Sequence, residues 1–441
     1  MTQATDTSLS PPVNHGWRVT FAGMGINLAL GVLYSWSVIS GAMTAAAKAG
    51  HAEWDWTQTE KNLPYSIACL VFCLIMVPAG RMQDRIGPRI VATIGGILVG
   101  AGMILASFIA TPLGFIIGFG VLAGAGFGFG YASATPPAVK WFPKAKTGLI
   151  AGLVVSGFGL ASVYIAPLAD ALIKSPWGIQ GTMLALGIGF LIVVVSLAQL
   201  LKSPPKGYVP QDLAKVDIPA AAAAAPNKTQ KKEDFTPTEM LKTWQFYLLW
   251  GMYACGAGAG LMVISVAKTL GAAGAGTIAV MGLAIGNGGG RILAGVVSDK
   301  LGRKLTLALF FIFQAVMVIL LSLAQPGSAL SSSVVLTLMA AFVGANYGAN
   351  LSLFPSVTKD YYGLKNFGVN YGLVFTAWGV GGFMLSLLAG YIKDITQTFT
   401  FAYYCSAVLL VLAAAATFLV KAPHHVEAVP EPVTEPEAVE A

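Results

Sequence analysis

Long apolar segments separated by short polar loops dominate the chain. About 20 helical residues cross the hydrocarbon core of a bilayer, and each apolar segment reaches that length. We therefore predict an all-α membrane protein with twelve transmembrane helices. The segments lie near residues 17–41, 58–80, 89–110, 113–137, 148–171, 179–201, 245–269, 275–298, 304–324, 331–356, 368–391 and 399–421.

The polar segments divide the apolar ones into two sets of six. The expected domains are an N-terminal tail over 1–16, a first half over 17–201, a linker over 202–242, a second half over 243–421 and a C-terminal tail over 422–441. The linker is rich in Lys, Pro and Ala, a composition that indicates no folded domain and is compatible with partial helix. The acidic, proline-containing C-terminal tail has a composition typical of disorder.

Charge is sparse and unevenly distributed. The 441 residues are 56% hydrophobic and 10% charged, whereas a soluble domain carries about 25% charged residues. With the N-terminus in the cytoplasm, most Lys and Arg residues fall in cytoplasmic segments, and the positive-inside rule then places both termini there. The net charge of +7 follows from this topology, and no motif adds support for nucleic-acid binding. The outside segments hold Lys48, Lys61, Lys174, Lys268 and Lys393.

Arg291 departs from this pattern because it lies deep inside an apolar segment. A charge at the centre of a bilayer costs roughly 2.5 to 3.5 kcal/mol on insertion scales, so such a residue is a functional-site hypothesis by default. All Asp, Glu and His residues fall in tails, loops or helix ends, which leaves no conventional proton relay and suggests an anionic ligand. Asn287, four residues earlier, shares its helix face. The glycines around Arg291 are compatible with close helix packing, with room for a ligand, or with both.

One loop sequence occurs twice. Gly80, Asp84, Arg85 and Gly87 recur 215 positions later as Gly295, Asp299, Lys300 and Gly302, which is followed by Arg303. A second set of glycines repeats at an offset of 220, pairing Gly124 with Gly344 and Gly159 with Gly379. The repeats indicate that a unit of six helices has been duplicated. Each loop is either a short cytoplasmic turn that fixes topology, a latch that holds a gate closed, or both.

The repeated Gly-x-x-x-Asp-Arg/Lys-x-Gly loops and the twelve segments resemble the major facilitator superfamily. This resemblance implies two six-helix halves with a substrate site between them. More local sequences, Gly31–Trp36 and Trp141-Phe142-Pro143 followed by Gly148 and Gly152, resemble the oxalate/formate antiporter and monocarboxylate transporter branch. The resemblance covers roughly residues 16–421.

The same resemblance suggests which residues form the site. Monocarboxylate transporters carry an Asp four residues before the comparable Arg, but this chain has Asn287 there and so lacks an obvious protein carboxylate for a coupled proton. Oxalate exchangers have a lysine where Trp378 stands, and one arginine suits one carboxylate. Tyr34 and Tyr131 match lining positions of the oxalate exchangers, and every aromatic candidate is also compatible with packing alone. The further candidates, from looser alignment or helical spacing, are Phe158, Tyr347, Phe375, Trp378 and Leu28.

These features together predict a secondary transporter of small monocarboxylates such as lactate, pyruvate, acetate or formate. We expect proton symport by alternating access in the cell membrane, by a monomer whose partners are the carboxylate, a proton and lipid. The alternatives are an anion exchanger and a non-transporting membrane sensor or scaffold. No Walker sequence, catalytic-triad spacing or Cys/His metal spacing occurs, so we expect neither an enzyme nor a cofactor or metal site. The four cysteines are expected to be packing residues: Cys69, Cys73, Cys255 and Cys405.

Overall fold

A computed structural model describes most of the chain, including all the predicted membrane segments. Most of the predicted linker and nearly all of the acidic C-terminal tail lie outside the described residues. The described ranges are 14–143, 146–205, 208, 234–270, 275–324, 327–363 and 366–423.

Twelve helices in the described part of the chain are long and apolar enough to cross a membrane. This confirms the predicted all-α architecture of two sets of six. The helices are α1 (Gly16–Lys48), α2 (Gln58–Ile86), α3 (Pro88–Phe108), α4 (Pro112–Val139), α5 (Leu149–Lys174), α6 (Gly178–Ala198), α7 (Trp244–Thr269), α8 (Gly276–Leu301), α9 (Arg303–Leu323), α10 (Ser333–Tyr362), α11 (Phe367–Thr396) and α12 (Thr400–Leu419).

The outer surface of the bundle is apolar. Phe21 is 60% exposed, Ile292 is 72% exposed and Phe418 is 60% exposed. In water such a surface would be unfavourable, whereas lipid tails solvate it without cost and require only that backbone groups are satisfied within the helices. This distribution is that of a multi-pass membrane protein.

Successive helices alternate in direction, so α1 begins and α12 ends on the same face of the bundle. We call this the tail face and the opposite one the far face. The Trp141 motif lies on the tail face, where the indole Nε1 donates to the Lys202 carbonyl at 2.7 Å and the ring packs edge-on against His15. The motif therefore packs α1, α4 and the chain after α6 together.

The two repeated loops have the same backbone conformation. Gly87 has φ of 93° and ψ of 157°, and Gly302 has φ of 84° and ψ of 158°. A positive φ is accessible to glycine at little cost because glycine has no Cβ. Each loop thus ends one helix and starts the next within a single residue, which supports the duplication read from the sequence.

The ion pairs next to these loops lie within one half of the protein. Lys140 Nζ is 3.4 Å from Asp84 Oδ1 in the first half. In the second half, Arg303 pairs with Asp299 at 3.0 Å and with Asp360 at 3.3 Å. The loops therefore brace each half internally, and the latch between halves stays a prediction.

The described end of the linker docks on the second half. The carbonyl oxygen of Phe235 accepts hydrogen bonds from Asn366 and Asn370, each at 3.0 Å, and its N–H donates to the Tyr362 carbonyl. A short helix over Pro237–Leu241 follows, so part of the predicted linker is helical.

Candidate functional site

The position of Arg291 is set by tight packing between α8 and α10. A Cβ at Gly286 would overlap the carbonyl oxygen of Ala341, and one at Gly290 would overlap that of Ala345. Glycines four apart therefore let the two backbones touch, as small residues do in membrane helix pairs. Arg291, one residue and about 100° further around the helix, is directed away from α10 towards α5.

The guanidinium of Arg291 has two neutral acceptors in the described structure. Its Nη1 donates to the carbonyl oxygen of Val155 on α5 at 2.9 Å, and its Nε donates to Asn287 Oδ1 at 3.2 Å. The bond to Val155 joins the second half to the first. Since both acceptors are uncharged, the positive charge of Arg291 is stabilised by dipoles and is available to an anion.

Asn287 lies beneath the arginine with 0% exposure. Its Oδ1 accepts from Arg291, but its Nδ2 has no hydrogen-bond partner among the described residues. Buried donors are nearly always paired, so an unpaired one next to a cation calls for an explanation. The pair presents an excess of donors, which is the requirement for binding an oxyanion.

A small cavity adjoins Arg291 at the interface of the two halves. Its volume is about 10 Å³, which is close to the space of one water molecule. Arg291 is the single charged residue of the lining set. The lining residues are Tyr34, Phe72, Tyr131, Phe158, Arg291, Leu351, Phe375 and Trp378.

The aromatic rings form one connected cluster around this cavity. Phe72 meets Phe158 at 5.7 Å and Trp378 at 5.1 Å between ring centroids, and Phe375 stacks on Trp378 at 5.1 Å. Tyr131 packs edge-on against Phe158 at 5.5 Å. The cavity thus combines one cation with an apolar, aromatic wall, and both halves contribute to it.

Tyr34 reaches the cavity from a local change in helix geometry. Residues Gly31–Ser35 of α1 form a 3₁₀ turn, which is tighter than an α-helix, and Tyr34 lies within this turn. The ring lies 4.9 Å from that of Phe158, and the hydroxyl lies 2.5 Å from the hydroxyl of Tyr347 on α10. This contact also joins the two halves.

Most of the candidates taken from the sequence lie together. Arg291, Tyr34, Tyr131, Phe158, Phe375 and Trp378 line the cavity. Asn287 lies under the arginine, and Tyr347 lies behind Tyr34. Leu28 is not among the residues that line this cavity, and its backbone carbonyl accepts a hydrogen bond from Tyr164 of α5 at 3.0 Å.

Two lining residues, Phe72 and Leu351, were absent from the sequence-based set. Leu351 is four residues after Tyr347 on α10, so helical spacing from a candidate was a usable signal. Phe72 carried no comparable signal, because an aromatic residue in a membrane helix is usually a packing residue. Its importance follows from contacts with rings on α4, α5 and α11.

On the far-face side of the cavity, Asp394 at the end of α11 closes the first turn of α2. Its carboxylate accepts from the backbone N–H groups of Gln58 at 2.6 Å and Thr59 at 2.8 Å. The next N–H, that of Glu60, is bonded by the Thr57 hydroxyl in a capping box. A carboxylate of the second half thus satisfies the free donors of a first-half helix, where the helix dipole favours negative charge.

Further bonds join the halves on the same side. Lys268 of α7 pairs with Asp170 of α5 at 2.7 Å. Asn62 Nδ2 donates to the Ser386 carbonyl at 3.0 Å. Together with the Asp394 cap, these contacts hold the described halves closed between the cavity and the far face.

Comparison with known proteins identifies a family whose sequence model matches most of this chain. Residues 28–384 match the sequence model of the Major Facilitator Superfamily, and a second match covers residues 246–440. The first match alone covers more than half of the chain.

Three relatives are similar to this chain along most of their length. The chain is 27% identical over 371 residues to the "Uncharacterized MFS-type transporter YhjX" of Escherichia coli K12, covering 83% of this chain and 85% of the relative. It is 29% identical over 344 residues to the oxalate:formate antiporter of Oxalobacter formigenes, covering 74% and 77%. It is 23% identical over 419 residues to monocarboxylate transporter 13 of Bos taurus, covering 94% and 91%. These matches agree with the branch indicated by the sequence motifs.

Proposed function

We propose that this chain, which belongs to the major facilitator superfamily, carries small monocarboxylates such as lactate, pyruvate, acetate or formate across the membrane. Arg291 binds the carboxylate, and Asn287 and the aromatic rings of the cavity form the rest of the site. The protein works as a secondary transporter, by proton symport and alternating access.

The observation that carries the proposal is the pairing of Arg291 with neutral acceptors at the interface of the halves. The guanidinium bonds Val155 and Asn287, and no other lining residue is charged. A carboxylate gives such a cation shorter and stronger bonds than a backbone carbonyl does. The substrate therefore replaces Val155 as the partner of Arg291.

The wall of the site favours a small molecule with one charge. A second carboxylate would be buried among aromatic rings without a cation, which is costly at low dielectric. The cavity of about 10 Å³ holds no organic acid as it stands. Entry of substrate then requires the rings to move apart, and small monocarboxylates need the least movement.

The arrangement of the halves supports alternating access. Contacts that cross between the halves run from the cavity to the far face, through Asp394, Asn62 and Lys268. We propose that the tail face is cytoplasmic, as the positive-inside rule suggests, and that this structure is the state closed to the outside of the cell membrane. Transport then breaks these far-face contacts and forms others on the tail face.

The coupling ion distinguishes the proposal from its main alternative. The described site offers no acid, so in symport the proton travels on the substrate carboxylate or on the pair that the carboxylate forms with Arg291. The alternative is an exchanger, in which one carboxylate displaces another from Arg291 without a proton. The similarity to an oxalate:formate antiporter favours this second candidate specifically.

Uptake of labelled lactate by liposomes containing the purified protein tests the proposal. Three conditions are compared: an acid-outside pH gradient, unlabelled lactate inside without a gradient, and neither. Symport predicts accumulation under the pH gradient and its loss with an uncoupler. Stimulation by internal lactate, with indifference to the gradient, establishes exchange instead.

Liposomes without protein and liposomes with an Arg291→Gln variant supply the baseline. Uptake of lactate, pyruvate, acetate and formate that never exceeds this baseline overturns the proposed function and leaves the sensor interpretation.

A further inference from the structure

Three buried side chains form a chain of hydrogen bonds at the back of the cavity. The Nε1 of Trp378 on α11 donates to the hydroxyl of Tyr347 on α10 at 2.7 Å, and the hydroxyls of Tyr347 and Tyr34 on α1 are 2.5 Å apart. Trp378 and Tyr34 line the cavity with Arg291, whereas Tyr347 is outside the lining set. Tyr347 is 0% exposed, so its hydroxyl has no access to solvent.

Donor and acceptor chemistry gives this chain a direction. An indole N–H can only donate, so the oxygen of Tyr347 is the acceptor for Trp378. Tyr347 has one hydroxyl proton of its own, and its described acceptor is the oxygen of Tyr34. If Tyr34 donated to Tyr347 instead, the Tyr347 proton would be buried without a partner, which native structures avoid.

Because the hydrogen bonds run from Trp378 to Tyr347 to Tyr34, neither of the other two side chains accepts the hydroxyl proton of Tyr34. Tyr34 accepts from Tyr347, so its own O–H points elsewhere. The ring lines the cavity that contains Arg291, and a hydroxyl bonded to a carboxylate makes a short, charge-assisted bond.

We propose that Trp378 and Tyr347 are positioning residues that aim the hydroxyl proton of Tyr34 at the substrate carboxylate. Tyr34 is then the second donor to that carboxylate beside Arg291. This inference rests on the proposed function, because it takes the ligand at Arg291 to be a carboxylate.

These hydrogen bonds also link substrate binding to the arrangement of the two halves. Tyr34 belongs to the first half, whereas Tyr347, Trp378 and Arg291 belong to the second. The bond between the two tyrosines requires the halves to be closed at this level. A carboxylate held by Tyr34 and Arg291 together is therefore bound more tightly in the closed arrangement, which its binding favours in turn.

A double-mutant cycle tests the inference. The dissociation constant of lactate is measured for the purified protein and for Tyr34→Phe, Tyr347→Phe and the double variant. We expect the constant to rise about tenfold for Tyr34→Phe and about threefold for Tyr347→Phe, since the first loses a bond to a charged group and the second loses its orientation. In the double variant the constant equals that of Tyr34→Phe alone, because Tyr34→Phe has already removed the hydroxyl proton that Tyr347 orients.

The matched pair is Tyr34→Phe with Tyr131→Phe, since Tyr131 lines the cavity outside the hydrogen-bond chain. In the variant that carries both changes, the two increases in the dissociation constant of lactate should multiply. Thermal unfolding checks that each variant is folded, and Trp378→Phe replaces Tyr347→Phe in the cycle if the latter is not.

Two results separate this inference from the proposed function. If the native protein binds lactate but Tyr347→Phe keeps its full effect in the Tyr34→Phe background, Tyr347 acts through packing and only the inference is overturned. If the native protein binds none of lactate, pyruvate, acetate and formate, the proposed function fails and the inference fails with it.

Discussion

The two seams that join the halves are related by the internal repeat but differ in what they contain. In the α2–α11 seam, Gly379 of α11 lies against Cys73 of α2, and a Cβ there would overlap the sulfur. In the α5–α8 seam, the equivalent Gly159 of α5 lies against Arg291, and a Cβ would lie 3.2 Å from Nη2.

The same small residue thus serves two purposes. In the α2–α11 seam it allows close contact of two helices without charge. In the α5–α8 seam it leaves the carbonyl of Val155 accessible to a guanidinium. Duplication supplied two equivalent grooves, and we propose that the seam with the half-buried cation Arg291 is the one that binds substrate.

Replacing Arg291 should have the largest effect on transport. Arg291→Gln should lower lactate uptake about a hundredfold, because truncating one partner of a buried, hydrogen-bonded charge pair costs roughly 2–5 kcal/mol. Arg291→Lys should restore little, since an ammonium lacks the planar fork that matches a carboxylate. Initial uptake rates in liposomes measure both.

Arg18→Gln, at the start of α1 on the tail face, is the matched control and should retain uptake. A folded Arg291→Gln protein with native uptake would show that the charge in the α5–α8 seam has no role in transport.

The α2–α11 seam should respond through stability. Gly379→Ala places a methyl group against Cys73 Sγ and 2.6 Å from the Cys69 carbonyl oxygen. Overpacking of this kind costs about 1–3 kcal/mol, so the thermal unfolding temperature of the purified protein should fall. Cys73→Ala in the same protein should recover part of the loss, and an unchanged unfolding temperature in Gly379→Ala would disprove the tight packing.

The equivalent change in the α5–α8 seam should act on binding instead. In Gly159→Ala the new methyl group lies within 3.4 Å of Arg291 Cζ and Asn287 Cγ, so the guanidinium must shift. We expect the KM for lactate to rise about fivefold, close to 1 kcal/mol, with little change in unfolding temperature.

Gly152→Ala on the same helix has no atom within 4 Å of the new methyl group and serves as the control. Equal KM values for the Gly159→Ala and native proteins would show that the α5–α8 seam is not part of the substrate site.

How far the sequence predicts this molecule depends on the range of the interactions involved. Twelve apolar segments, a duplicated loop and an Asn–Arg pair one helical turn apart are local patterns, and they predict the fold and the centre of the site. Phe72 and Leu351 complete the cavity through contacts between distant helices. Asp394 looks like an ordinary helix-end acid in the sequence, and its role as a cap on α2 arises only when the halves meet.

We expect the smallest effect from a substitution at Asp394, which acts only on the contact between α11 and the start of α2. Asp394→Asn keeps one acceptor oxygen but removes a charge from the N-terminus of α2, worth about 0.3–1 kcal/mol. The far-face side should then open more often. Maleimide should label a Ser386→Cys reporter, buried in the native α11, about threefold faster.

Asp84→Asn removes an acid of the tail-face loop that pairs within the first half and should leave the labelling rate unchanged. Equal rates with and without Asp394→Asn would mean that the cap does not hold the halves together.

Competition by a neutral substrate analogue tests most directly whether the carboxylate is recognised by charge. Lactamide has nearly the shape of lactate but no charge, and the native protein can be used without any substitution. Uptake of labelled lactate into liposomes is measured with increasing lactamide or pyruvate outside. We expect pyruvate to inhibit uptake, and we expect lactamide, which gives Arg291 no anionic partner, to inhibit at least a hundredfold more weakly. Equal inhibition by the two compounds would contradict carboxylate capture by Arg291.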